Sequence, residues 1–243
     1  MEDGRVYIPL HFIKGERMAK KTSKTARKNK IIETALKIFA EKGFADATIS
    51  EISKAAGVSD ATVYEYFKTK EELLFTIPEE ITEEPAKDME KILPFLRGAE
   101  CKLRAIVQGY MTLYEMNPDY TALVMLQLKT NRNFLKTKSY EKVRSIAQML
   151  LRCIQEGIDS GTFHKGTDPY LVRSMILGTI EHLCIRRHLL GAPTNLVEHV
   201  DPLMDMILGG IRVQAQPKSI SVHLHIADDG QAIVEPGNTA EGT

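Results

Sequence analysis

The sequence predicts an all-α protein, with an N-terminal three-helix helix-turn-helix domain, a larger C-terminal helical domain and about nine helices in all. Three observations carry that reading. Apolar residues recur at helical spacing, first at Ile31, Ile32, Ala35, Leu36 and Phe39. Hydroxyl residues followed three positions later by Glu mark helix starts at Thr48 and Thr69. Neither a strand–helix alternation nor an internal repeat runs along the 243 residues.

The first helix is expected from Lys28, ending at Gly43, where a left-handed residue costs little. Thr48-Ile49-Ser50-Glu51 is a capping box that opens a short helix with Ile49, Ile52 and Ala56 on one side. Gly57 breaks it, Val58 packs the turn, and Ser59 caps a third helix from Asp60 to Phe67. Val63 and Phe67, four apart, face inward and leave Thr62, Tyr64 and Glu65 on other faces. Short helix, glycine turn, short helix is the pattern by which a protein places a helix in the major groove.

Thr69-Lys70-Glu71-Glu72 opens a fourth helix, which Pro78, Pro85 and Pro94 are each expected to kink or end. Further helices are expected over Leu96–Met116, Asp119–Lys129 and Ser139–Ile158. Asp168-Pro169 caps a helix that runs to Leu190 and stops at Gly191. A last helix lies between Leu196 and Val213, either kinked at Pro202 or beginning at Asp201. Four segments follow: a flexible basic leader (1–23), a helix-turn-helix domain (24–76), a ligand-binding and dimerisation domain (77–215), and a tail (216–243) that is either disordered or a small hairpin. Translation starts at Met1 or at Met18, ahead of the basic run.

The net charge is zero, but residues 14–76 carry 13 Lys and Arg against 9 Asp and Glu. The sharpest block, Lys14 to Lys30, suits either contact with phosphates or a solvated arm. No apolar run approaches the roughly 20 residues of a membrane span, and the N-terminus lacks a secretory pattern, so a cytoplasmic protein is expected. Cys101, Cys153 and Cys184 have no metal spacing and read as small buried hydrophobes, with a redox-sensing thiol the rival. No phosphate loop, nucleophile elbow or HExxH motif is present, so no catalytic residues, metal or cofactor are expected. The Glu79, Glu80, Glu83 and Glu84 cluster reads as a solvated helix face rather than a divalent-ion site, and His223 with His225 lack partners for a metal.

The segment from Gly43 to Leu73, GFADATISEISKAAGVSDATVYEYFKTKEEL, resembles the DNA-binding signature of the TetR family of bacterial repressors. Beyond it the likeness rests on helix number and on the turn Glu156 to Phe163. The resemblance implies that three helices bind a palindromic double-stranded DNA operator. It also implies that the middle helices surround a small-molecule pocket, that the last two pair in a homodimer, and that ligand moves the fourth helix to release DNA. By the same resemblance Thr48 and Ser50 touch phosphate, Ala61 and Thr62 approach bases or backbone, Tyr64 and Tyr66 bond phosphates, and Lys70 pins one. Tyr66 has core packing beside Phe67 as its alternative, and Thr48 also caps.

Asp60 and Glu65 depart from the family, many of whose members are basic at the first position and neutral or basic at the second. Asp60 suits a first helical turn. Glu65 either accepts from a cytosine amino group or faces solvent.

Tyr110, Met111, Tyr114, Met125, Phe134, Met149, Cys153 and His182 are the candidate pocket lining, fit for an apolar or acylated effector such as an acyl-CoA. Asp60-Ala61-Thr62-Val63-Tyr64 resembles members of the family that control fatty-acid degradation. Glu181, Arg186 and Arg187 are candidates for a polar head group or for surface pairing. The rival reading is a DNA-binding regulator without a small-molecule ligand, controlled by a protein partner; an enclosed apolar cavity would count against it.

Overall fold

In a computed structural model the described residues are 23–213 together with two short strands, 222–226 and 232–236. Most of the basic leader, including Met18 as a start, and the rest of the tail lie outside the described residues. Two compact units result, one ending at Arg212 and one beginning at Val213.

The first unit is helical throughout. Its elements are α1 (Ser23–Asp46), α2 (Ile49–Ala56), α3 (Asp60–Tyr66), α4 (Lys70–Ile92), α5 (Ala99–Met116), α6 (Pro118–Leu123), α7 (Lys138–Asp159), α8 (Pro169–Leu190) and α9 (Val200–Ile211). The second unit contains β1 (Val222–Ile226) and β2 (Ala232–Pro236), paired antiparallel with Leu224 opposite Val234.

Local chemistry explains most boundaries. α1 begins five residues before the expected start, and Gly43 interrupts it at φ +81°. Gly57 ends α2 at φ +71°, a conformation in which a Cβ would be strained. Asp168 caps α8 by accepting from the amides of Tyr170 and Leu171 at 2.8 and 3.2 Å, and Gly191 closes it. α9 starts at Val200, which puts Pro202 in the first turn, where a missing amide costs nothing and no kink is needed.

Two expectations need correction. Pro78 and Pro85 do not end the fourth helix: α4 runs through both to Ile92, and only Pro94 coincides with its end, in the 3-10 turn Leu93–Phe95. The expected helix Asp119–Lys129 is α6 followed by a π-helical turn, Val124–Leu128, and the wider turn puts Gln127 against α1.

The core is continuous from the small N-terminal head into the body. Ile31, Ala35, Phe39, Ile52, Val63 and Leu73 close the head, each fully buried. Leu103, Ile106, Met111, Leu123, Met149, Ile154 and Ile176 continue it into the body. α4 belongs to both parts, packing on α1 at one end and on α7 and α5 further along.

Candidate nucleic-acid interface and internal cavity

The head presents α3 outward on a rigid mount. Thr48 Oγ1 accepts from the amide of Glu51 at 3.2 Å, and the Glu51 carboxylate accepts from the amide of Thr48 at 3.1 Å. The Val58 amide returns to the Ser53 carbonyl at 2.9 Å and fixes the turn. Ser59 then caps α3, accepting from the Thr62 amide at 3.2 Å. With Val63 and Phe67 buried, α3 leaves Ala61, Tyr64 and Glu65 exposed, Tyr64 at 52 %. Thr48 and Ser50 are exposed at the start of α2, and Thr62 is half-buried.

The acidic Asp60 has a structural explanation. Its carboxylate accepts a hydrogen bond from the Ser53 hydroxyl, tying the first turn of α3 to α2. The same position suits the positive end of the helix. Glu65 is exposed.

Two residues of the expected DNA-binding set are otherwise engaged. The Tyr66 hydroxyl donates to the Lys24 carbonyl at 3.3 Å, and its ring lies 6.3 Å from that of Phe67. Lys70 calls for correction. Its ammonium donates to the carbonyls of Phe44, Ala45 and Ala47 at 2.7, 3.3 and 2.7 Å, and lies 4.5 Å from the Phe44 ring centre. An ammonium has three protons. With all three on main-chain oxygens, Lys70 clamps the α1–α2 turn and has no donor left for phosphate. At the second cap, the Thr69 hydroxyl accepts from the Glu72 amide, but Glu72 reaches back to the amide of Lys68 rather than to that of Thr69.

Gln127, which the sequence reading passed over, ties head to body. Its Oε1 accepts from the Phe44 amide and its Nε2 donates to the Phe39 carbonyl, each at 3.0 Å. One side chain thus spans the interruption at Gly43. An isolated Gln in an apolar run carries no signal, because only the π-helical turn aims it.

The body holds an apolar cavity of about 50 Å³ between α4, α5 and α7, lined by Pro85, Ala86, Met89, Ile106, Tyr110 and Ile146 among others. Asp88 is the sole charged residue of that lining. Met89 fills much of the gap: its methyl lies 2.9 Å from where a Cβ on Gly109 would stand, so only glycine admits it in this position.

Of the expected lining, Tyr110 alone borders this cavity. Met111, Met125, Phe134, Met149 and Cys153 are buried core, with Phe134 packed on Phe75 and Tyr140. Tyr114 lies next to Tyr110, with ring centres 6.1 Å apart. His182 is exposed on α8 and leaves the set. Core methionines and lining residues share one periodicity, so the sequence could not separate them. Glu181 pairs with Lys129, and Arg187 lies 3.5 Å from Glu115, whose carboxylate also accepts from the amides of Leu196 and Val197. In the acidic cluster Glu79 meets Lys142, Glu80 meets Lys28, and Glu83 and Glu84 meet Lys87. Among the described residues no group of three His, Cys, Asp or Glu side chains could hold a metal, and no helix is long and apolar enough to cross a membrane.

Two family models match the chain: bacterial regulatory proteins of the tetR family over residues 31–77, and the YsiA-like C-terminal region over residues 80–210. The fatty acid metabolism regulator protein of Bacillus subtilis is 29% identical over 181 residues, which cover 74% of this chain and 93% of the relative. Among solved structures, the fatty acid degradation regulator FadR from Bacillus halodurans is 28% identical with a TM-score of 0.70, covering 81% of this chain and 100% of that one. FadR from Bacillus subtilis, solved in complex with stearoyl-CoA, is 27% identical with a TM-score of 0.67, covering 76% and 99%. With matching models over both the reading head and the body, this chain belongs to the TetR family of DNA-binding transcriptional regulators.

Proposed function

We propose that the protein is a homodimeric repressor that binds a palindromic operator and is released from it by a long-chain acyl thioester. The observation that carries this reading is that a single helix serves both ends. α4 begins at the DNA-reading head, with Leu73 and Leu74 in the head's core, and ends as one wall of the cavity through Pro85, Ala86, Met89 and Ile92.

The cavity is apolar, as an acyl chain requires, and the similar regulator from Bacillus subtilis was solved with stearoyl-CoA. Its volume falls well below the roughly 300–1,000 Å³ of ordinary ligand sites. An acyl chain therefore enters only if Met89 swings out and α4, α5 and α7 part. A ligand that binds only the parted form favours that form by its difference in affinity, and α4 carries the shift to the head. The cavity also stands against control by a protein partner alone.

Dimerisation is supported by α8 and α9. Leu171, Met175 and Met206 are 59, 51 and 71 % exposed along a groove between these helices that Val172 and Ile207 also line. Apolar side chains of that size gathered on one face mark an interface. Two-fold symmetry then implies half-sites spaced by one helical turn of DNA, roughly 34–36 Å, or a multiple of it.

The test is selection of binding sites from a random duplex pool, run with and without stearoyl-CoA. The expected result is enrichment of a palindrome that stearoyl-CoA abolishes. Enrichment unaffected by saturating stearoyl-CoA would refute the effector, and absence of any enriched sequence would refute the operator.

A further inference from the structure

Three tyrosines stand in a row where α5 meets α6. Tyr110 and Tyr114 lie one turn apart on α5, and Tyr114 stacks on Tyr120 of α6 with ring centres 6.2 Å apart and planes 20° apart. Tyr110 borders the cavity and Tyr120 is 1 % exposed. None of the three hydroxyls has a hydrogen-bond partner among the described residues.

Buried tyrosine hydroxyls normally find a partner, and one left without it lowers stability. Phenylalanine would pack the same rings without that cost, so packing alone does not account for three hydroxyls in one row. Burial pushes each phenol well above the usual tyrosine range, and the three are close enough for one to raise the next. Each therefore stays protonated and keeps an O–H to donate at neutral pH.

We propose that Tyr110, Tyr114 and Tyr120 form a hydrogen-bonding subsite on the inner wall of the cavity, which receives an oxygen carried by the buried part of an otherwise apolar ligand. The subsite rests on the effector reading given above. The oxygen has two sources of the same chemistry: the thioester carbonyl, or a hydroxyl further along the acyl chain. In either case a tyrosine O–H donates to it, and the apolar walls exclude water that would compete.

Three probes separate the sources: stearoyl-CoA, the thioether S-octadecyl-CoA, which lacks the carbonyl, and 12-hydroxystearoyl-CoA. Their affinities are measured by calorimetry on the full chain and on Tyr110→Phe and Tyr120→Phe, alongside thermal melting without ligand. The substitutions are expected to raise the ligand-free Tm by about 2 °C. They are also expected to weaken an oxygen-bearing ligand about five- to tenfold. Weakening of stearoyl-CoA but not of the thioether assigns the subsite to the thioester carbonyl. Weakening confined to 12-hydroxystearoyl-CoA assigns it to a chain hydroxyl. Unchanged affinity for all three, or a fall in Tm on losing the hydroxyls, overturns the subsite and leaves the acyl-thioester reading standing. Failure of all three probes to bind the unmodified protein overturns both.

Discussion

Lys70 and Tyr64 show how two polar residues in one signature divide the work. Lys70 satisfies three carbonyls at the α1–α2 turn, so Lys70→Met should lower stability by roughly 1–3 kcal/mol, the range for hydrogen bonds to a charged group. Tyr64 is exposed on α3 and contributes nothing to the head's core. Tyr64→Phe should leave the melting temperature in place and weaken operator binding several-fold. Thermal melting and a gel-shift titration of both variants check the division; a Lys70→Met protein that melts normally but fails to bind DNA would restore Lys70 as a phosphate ligand. The cysteines make a second residue-scale case. Burial pushes the Cys153 thiol up to about 11 and that of Cys184 to about 12. Raised values favour the neutral thiol in the fold. The stabilisation is whole below the unfolded thiol's range near 8.5 and is lost as pH climbs through the folded values. At pH 8, iodoacetamide should therefore label the half-buried Cys101 and spare Cys153 and Cys184 until the protein unfolds. Rapid labelling of Cys184 in the native protein would revive a redox role.

At the scale of elements, α4 and the π-helical turn after α6 are the two connections between cavity and head. Pro78 leaves the carbonyl of Leu74 without its usual amide, and Pro85 does the same for Ile81, yet the helix continues through both. A helix that already lacks those bonds bends at little further cost. Pro78→Ala should restore one bond and stiffen the segment, and so reduce the factor by which stearoyl-CoA lowers operator affinity more than it alters affinity without ligand. An unchanged factor would leave Pro78 a structural punctuation mark. Gln127 grips both sides of the α1 interruption, so Gln127→Glu keeps the acceptor for Phe44 but sets a carboxylate oxygen against the Phe39 carbonyl. That variant should bind operator more weakly and melt at lower temperature, while Gln127→Leu should blunt the response to ligand. Equal titration curves for Gln127→Leu and the unmodified protein would remove the turn from the signalling route.

Across the whole molecule, the parts written in local chemistry were the legible ones. Thr48, Gly57, Ser59, Asp168 and Gly191 each act at their own backbone position, so the reading head and α8 could be placed from sequence. What depended on tertiary aim was not legible. Lys70 could be assigned to phosphate because nothing local shows three carbonyls waiting 23 to 26 residues earlier. Met89 and Gly109 form the cavity's plug only because two helices meet there, and Met111 or Met149 look equally suitable in a helical stripe. His182 was drawn into the lining by its place on α8, whereas the register of that helix turns it to solvent.

The central claim is that occupation of the cavity between α4, α5 and α7 releases DNA from α3. Fluorescence anisotropy of a labelled duplex from the site selection, held half-bound and titrated with stearoyl-CoA, tests it most directly, with free CoA as the control. The expected result is a fall to the anisotropy of free duplex with stearoyl-CoA and no change with CoA. Unchanged anisotropy at a stearoyl-CoA concentration that calorimetry shows to be saturating would contradict it.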